Sequence, residues 1–228
     1  MSIDLKRVNT VLENSSPQEI LTWANEHFPK SIVASSSFQT QSVALLHMIS
    51  SSTPEMPIIF LDTGYHFPET LAFRDQLQDL LSLNVVNVSP KVSPESQKNQ
   101  RKELYRTNPD LCCKINKVRP FDKAIAPYKA LISGIRRDQT KFRAKVDIVE
   151  LKNGQYNIHP MANWTQKMVW QYLYDYNLPE HPLFKEGYQS VGCAPCTRAV
   201  KPGEDARAGR WADSEKTECG LHLSREDD

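Results

Sequence analysis

Three short apolar runs, Ile32-Val33-Ala34, Pro57 to Leu61 and Ala130-Leu131-Ile132, and a strand-like Val85-Val86-Asn87-Val88 recur along the chain with room for helices between them. Strands that read as unbroken apolar runs, without polar alternation, are those buried on both faces. That is the state of a parallel strand in a helix-covered sheet. The intervening residues supply the helices. Ser16-Pro17-Gln18-Glu19 is a capping box with proline at the first helical position, opening a helix to about Phe28. Val43, Leu45, Leu46 and Ile49 mark the apolar face of a second helix, Phe67 to Leu81 reads as a third, and Pro94 to Tyr105 as a fourth. The expected fold class is α/β, a mostly parallel sheet with helices on both faces. Val146 to Leu151 and Tyr156 to Ile158, around Asn153-Gly154, predict a β-hairpin, and Thr165 to Tyr176 an aromatic-rich helix. From Pro202 onward the chain is charged and almost free of aliphatics, the composition of a mobile tail.

At 228 residues with 39% hydrophobic and 24% charged side chains, the chain has the composition of a globular protein with one sizeable core. Collagenous and wholly disordered chains are excluded. The formal net charge of +1 gives no global signal for a polyanion partner. The average conceals a bias, because Lys98 to Lys145 holds 14 Lys/Arg against 4 Asp/Glu. The start of the chain lacks the apolar stretch of a secretory signal, and no apolar run reaches the ~18–20 residues of a membrane span. A cytoplasmic protein with no membrane partner is expected.

Three polar turns follow the strands. Ser35-Ser36-Ser37-Phe38-Gln39-Thr40-Gln41-Ser42 follows the first, Asp62-Thr63-Gly64 the second and Ser133-Gly134-Ile135-Arg136-Arg137 the fourth. In an open parallel sheet, ligands sit beyond the carboxyl ends of the strands, where helix N-termini offer free N–H groups to anions. A serine-rich strand end that merely caps a helix accounts equally well for the first turn taken alone, and no Walker pattern is present. Together the three turns suit a nucleotide-sized crevice.

The five cysteines divide into Cys112-Cys113, Cys193-Ala194-Pro195-Cys196 and Cys219. A Cys-x2-Cys pair lets two thiolates face one metal centre, and a second pair completes four soft ligands. Adjacent cysteines diverge and meet a single zinc ion awkwardly, whereas a cubane offers several iron corners. The pattern therefore favours a [4Fe-4S] cluster over structural zinc or an incidental thiol arrangement. Cys219 stands apart. It is either an unremarkable thiol or, with Lys216 and His222 to lower its pKa and Gly220 leaving it uncrowded, a nucleophile. The basic residues, among them Lys114, Lys117, Arg119, Arg136, Arg137, Lys141 and Arg143, and then Arg198, Arg207 and Arg210, suit a solvated face, an RNA-binding face or a site for a multiply charged anion. Base-stacking aromatics are sparse among them, which weakens the nucleic-acid reading.

Leu61-Asp62-Thr63-Gly64, Ser133 to Gln139, the two cysteine pairs and Glu218-Cys219-Gly220-Leu221-His222 together resemble the assimilatory sulfonucleotide reductases. The likeness is to the iron–sulfur type acting on adenylyl sulfate (APS), and it runs from about Ile32 to His222. It implies a Rossmann-like adenine nucleotide α-hydrolase fold, with residues 1–200 as the sulfonucleotide and cluster domain and 201–228 as a mobile tail. It further implies a [4Fe-4S] cluster on Cys112, Cys113, Cys193 and Cys196. Cys219 would be the nucleophile and His222 would orient the tail. Ser35, Ser36, Ser37, Leu61, Asp62 and Gly134 would contact the nucleotide, and Lys117, Arg143, Arg207 and Arg210 the phosphosulfate. Thioredoxin or glutaredoxin would be the reductant, and a homo-oligomer stays open.

Ser37 to Ser42 lacks the acidic residue of the related ATP-splitting enzymes, which argues against adenylation or tRNA thiolation. The Ser-Ser-Ser-Phe turn is more similar to reductases of the 3′-phosphorylated nucleotide (PAPS), which usually lack the cluster cysteines. APS is the expected substrate, with PAPS or both as the alternative and an iron–sulfur RNA-binding module as a more distant one.

Overall fold

The computed structural model describes residues 3–91 and 103–211. Six strands form one sheet in the order β3-β2-β1-β4-β6-β5, with β1 at Ile32–Ser36, β2 at Ile58–Leu61, β3 at Val85–Val88, β4 at Ala130–Ile132, β5 at Val149–Lys152 and β6 at Gln155–Ile158. All neighbouring pairs are parallel except the β5–β6 hairpin. The chain runs outward from β1 through β2 to β3, then returns to lay β4 on the other side of β1. The strand order therefore reverses between β1 and β4, where a doubly wound sheet opens its ligand crevice.

The helices are α1 (Leu5–Leu12), α2 (Pro17–His27), α3 (Val43–Ser52), α4 (Pro68–Leu81), α5 (Leu104–Thr107), α6 (Pro109–Cys113), α7 (Arg119–Ile125) and α8 (Gln166–Asp175). The Ser16 capping box forms as expected, Ser16 Oγ accepting from Glu19 N while Glu19 Oε2 accepts from Ser16 N at 2.7 Å. Successive strand residues point to opposite faces, and the core divides accordingly. Ile32, Ala34, Ile58, Phe60, Ala130 and Ile132 pack under α2, α3, α4 and α8, whereas Val33, Ile59 and Leu131 meet Phe121 and Ile125 of α7.

Two expectations change, and a third falls mostly outside the described residues. The first hairpin strand begins at Val149 and not Val146, because Val146 N closes a turn onto Arg143 O at 3.0 Å. The helix expected over Pro94 to Tyr105 lies mostly outside the described residues, which show only its end, within α5. Residues 202–211, expected within the tail, pack against the body. Thr197 and Arg210 form an antiparallel bridge, Arg198 N donates to Gly209 O at 2.9 Å, and Trp211 is 5% exposed. Among the described residues no helix is long and apolar enough to cross a membrane.

Candidate active site

A cavity of about 330 Å³ opens at the carboxyl edge of the sheet, over the β1–β4 reversal. That is within the ~300–1,000 Å³ of small-molecule clefts. Ser35, Ser36 and Ser37 from the end of β1, Leu61 from β2 and Gly134 after β4 line it. Asp62 is not among the lining residues. Its Oδ1 accepts from Gly64 N at 2.9 Å, an Asx turn that Gly64 completes at φ +71°. The aspartate therefore shapes the turn and leaves Leu61 to face the cavity.

The cavity is strongly cationic. Lys117, Arg136, Arg143, Arg207 and Arg210 line it, against Asp138 and Asp205. Arg136, 3% exposed, joins the turns across the crevice, with Nη2 donating to Gln41 Oε1 at 2.8 Å and Nε to Asp138 Oδ1 at 3.0 Å. Gln139 Oε1 accepts from both Arg136 N, at 3.1 Å, and the Arg143 guanidinium, so the turn after β4 fixes Arg143 as well. Arg137 serves the fold instead, donating to Val146 O at 2.8 Å and pairing with Glu13. Arg210 donates to Val191 O at 3.0 Å, and its guanidinium lies 4.4 Å from the Trp211 ring centroid. Gly192 makes room for that stacking, since a Cβ there would collide with the guanidinium. Fixed cations in a partly dry cleft are the arrangement that binds a multiply charged anion and stabilises charge developing on it.

All four paired cysteines line one small adjoining space. Asn108 caps α6 by accepting from Leu111 N at 2.9 Å, and Pro109 starts it, which buries Cys112 and Cys113 at its end. The chain continues as a π-turn over Lys114–Val118 before Pro120, whose missing N–H breaks the α-helical ladder. Cys193 Sγ lies 3.3 Å from Thr63 Oγ1, Ala194 N donates to Tyr65 O at 2.7 Å, and Trp211 N donates to Cys196 O at 2.9 Å. The Asp-Thr-Gly turn thus holds the second pair against the first. Lys117, Thr63 and Trp211 line both spaces and form the wall between them.

The thiols are crowded. Burial and the Cys193 sulfur, with Cys113 and Cys112, push Cys196 up to about 11, and burial raises Cys112 despite a hydrogen bond from Asn116 at 3.5 Å. Four crowded thiolates, three of them buried, coexist only with cations among them, which suits an iron–sulfur cluster by donor chemistry. No three His, Cys, Asp or Glu side chains among the described residues are gathered tightly enough to hold a single metal ion. The space that the four cysteines line measures about 20 Å³, roughly one water. Cys219 and His222 lie outside the described residues. Trp211 carried no sequence signal as a site residue, whereas Thr63 and Arg136 stood in the turns expected to form the crevice and Gln139 in the Ser133 to Gln139 motif, without individual roles.

Residues 31–199 match the model of the phosphoadenosine phosphosulfate reductase domain. The adenosine 5′-phosphosulfate reductase of Streptomyces coelicolor is 42% identical over 95% of this chain and 92% of its own length. The phosphoadenosine 5′-phosphosulfate reductase of Gloeobacter violaceus is also 42% identical, over 92% and 90%. The phosphoadenylyl-sulfate reductase of Candida auris, solved with phosphate, superposes with a TM-score of 0.76 at 26% identity, covering 88% of this chain and 99% of that one. The matched residues 31–199 span the sheet, both cysteine pairs and the cavity residues Lys117, Arg136 and Arg143, and the chain belongs to the phosphoadenosine phosphosulfate reductase family.

Proposed function

We propose that this protein reduces APS to sulfite and AMP with electrons from a dithiol. The observation that carries the reading is the shared wall, Lys117 standing between a cation-lined nucleotide cavity and a nest of four cysteines. Cys219 thiolate attacks the sulfate sulfur of the bound nucleotide. The sulfur–oxygen bond to the phosphate breaks, AMP leaves with that electron pair, and S-sulfocysteine remains. A thiolate of thioredoxin or glutaredoxin then attacks Cys219 Sγ and releases sulfite. The partner's second thiol resolves the mixed disulfide, so two electrons are transferred and Cys219 is restored. Lys117, Arg143, Arg207 and Arg210 neutralise the phosphosulfate, and His222 orients the C-terminal segment. Cys112, Cys113, Cys193 and Cys196 would hold a [4Fe-4S] cluster, which supplies structure and local charge while the electrons enter through thiols. Such free thiols belong to a reducing compartment, the cytoplasm.

PAPS is the second reading, favoured by the name of the Gloeobacter relative and by the Ser35-Ser36-Ser37-Phe38 turn. The deciding experiment mixes anaerobically purified protein with each nucleotide without reductant and measures intact mass. A gain of one SO3 group on Cys219 is expected, larger with APS. An adduct formed only with PAPS reverses the substrate assignment, and no adduct with either refutes the reductase reading.

Two variants probe the cations. Lys117→Ala is expected to lower kcat/KM by about 10²–10³, the usual cost of one lost oxyanion partner, with iron content unchanged by elemental analysis. In Gly192→Ala the movable partner is the Arg210 guanidinium, so the side chain is displaced and the fold is kept. Melting is expected within about 1 kcal/mol of the parent. AMP affinity by calorimetry should fall about tenfold, the value of one charged contact.

A further inference from the structure

A buried polar row crosses the sheet at the edge of the nucleotide cavity. The register sets Asn157 opposite both Leu131 and Glu150, so Ser133 just beyond β4, His159 just beyond β6 and Glu150 of β5 share one face. Ser133 N donates to Ile158 O at 3.0 Å, which fixes its place at the mouth of the β1–β4 crevice, where it lines the cavity. Ser133 Oγ lies 2.8 Å from His159 Nδ1. His159 Nε2 lies 3.6 Å from Glu150 Oε2, and Lys152 Nζ lies 2.7 Å from that same oxygen. Ser133 is 7% and His159 3% exposed.

The polarity of this row follows from its charges. Burial alone would raise Glu150, but the Lys152 ammonium, 2.7 Å from Oε2, and the facing His159 ring hold it below the usual carboxylate range, so the carboxylate is ionised. His159 is neutral, because burial disfavours its imidazolium. At 3.6 Å the contact to Glu150 is electrostatic, not a hydrogen bond, and it suffices to choose the tautomer. A lone pair on Nε2 would face the negative carboxylate, so the proton sits on Nε2 and Nδ1 is an acceptor. The Ser133 hydroxyl hydrogen is then committed to Nδ1, and lone pairs are what Ser133 offers the cavity. An unconstrained serine turns to donate or accept as its ligand requires; this one accepts.

We infer that Ser133 is a specificity-determining residue, a hydrogen-bond acceptor locked by His159 and Glu150 that selects a nucleotide presenting a donor, either the base amino group or a ribose hydroxyl. This rests on the nucleotide reading of the cavity given above. A ligand carrying an acceptor at that point leaves two acceptors face to face, the kind of mismatch that discriminates strongly.

The test is calorimetric binding of AMP, IMP, 2′-deoxy-AMP and 3′-deoxy-AMP to the parent protein, Ser133→Ala and Glu150→Leu. In the parent, one of the three altered nucleotides should bind about tenfold more weakly than AMP because it lacks the donor, and its identity names the donor. Ser133→Ala should weaken AMP about tenfold and abolish the difference from that one analogue, a coupling that a loss of packing would not produce. Glu150→Leu frees the tautomer and lets Ser133 turn to donate, so IMP, which presents a carbonyl oxygen in place of the amino group, should bind more tightly than it does to the parent if the base is the group read. Parent-like preferences in Ser133→Ala overturn the assignment while leaving the nucleotide reading intact. Failure of the parent to bind any of the four overturns both.

Discussion

Cys193→Ser is expected to yield protein with little iron or acid-labile sulfide and without the brown colour that the proposed cluster would give the parent. The position is tightly built. Cys193 is 8% exposed, its carbonyl accepts from both Cys196 N and Thr197 Oγ1 at 2.9 Å, and its sulfur lies 3.3 Å from Thr63 Oγ1. Serine keeps this shape, so the fold survives and the change is one of donor chemistry. A hydroxyl is harder than a thiolate and stays protonated, and iron–sulfur clusters select soft thiolates. Thr63→Val keeps all four thiols and removes only a neighbour of Cys193. It should weaken cluster retention against a chelator by about 10–100-fold, the usual cost of an outer partner. Full iron content in Cys193→Ser would remove this residue from the ligand set. Iron loss equal in Thr63→Val and Cys193→Ser would mean that the turn, not the sulfur, holds the cluster.

The central strands β1, β2 and β4 were legible because they are buried on both faces and declare themselves as apolar runs, with Val33 and Ile59 on one face and Ala34 and Phe60 on the other. Strand β3 and the hairpin strands lie toward the sheet's edges, where Val86, Asn87 and Leu151 are exposed. The stretch from Pro109 to Ile125 was not read as helical. It carries Pro109 and Pro120, and its buried positions, Cys112, Cys113, Asn116, Phe121 and Ile125, include a gap of five between Asn116 and Phe121. The five is the π-turn, which breaks the 3.6-residue period on which a helix is recognised. That irregular turn carries Lys117 to the wall between the cavities.

Candidate site residues divide the same way. Ser35 to Ser37, Leu61 and Gly134 follow from strand ends alone, since topology carries every such end to one edge. Asp62 stands at the same edge, with its Oδ1 accepting from Gly64 N two residues on, as an aspartate before a glycine commonly does. Ser133, His159 and Glu150 were illegible as a set. Their meeting depends on the register of three strands, two of them joined in a hairpin whose first strand starts three residues later than the apolar pattern suggested.

Cys219→Ser is expected to abolish sulfite release, to below about one part in 10³ of the parent rate, while iron content and AMP affinity stay unchanged. The geometry permits the assignment. Trp211 stands at the wall between the cavity and the cysteine nest, and Cys219 is eight residues further along the chain. Eight residues reach at most roughly 26–29 Å when extended, so the cationic cavity lies within range of the thiol from its anchor. The anchor is firm, with Trp211 N on Cys196 O, Arg210 bridged to Thr197 and Arg198 held to Glu204 at 2.8 Å. Serine has the reach and shape of cysteine but remains a hydroxyl at neutral pH, with no thiolate to attack sulfur. The variant therefore separates delivery from chemistry. His222→Ala, which leaves the thiolate in place, should slow transfer by about 10²-fold, at the scale of a lost orienting or proton-handling group. Sulfite released by Cys219→Ser at the parental rate would refute attack from the C-terminal segment and return the search for a nucleophile to the four cysteines behind Lys117.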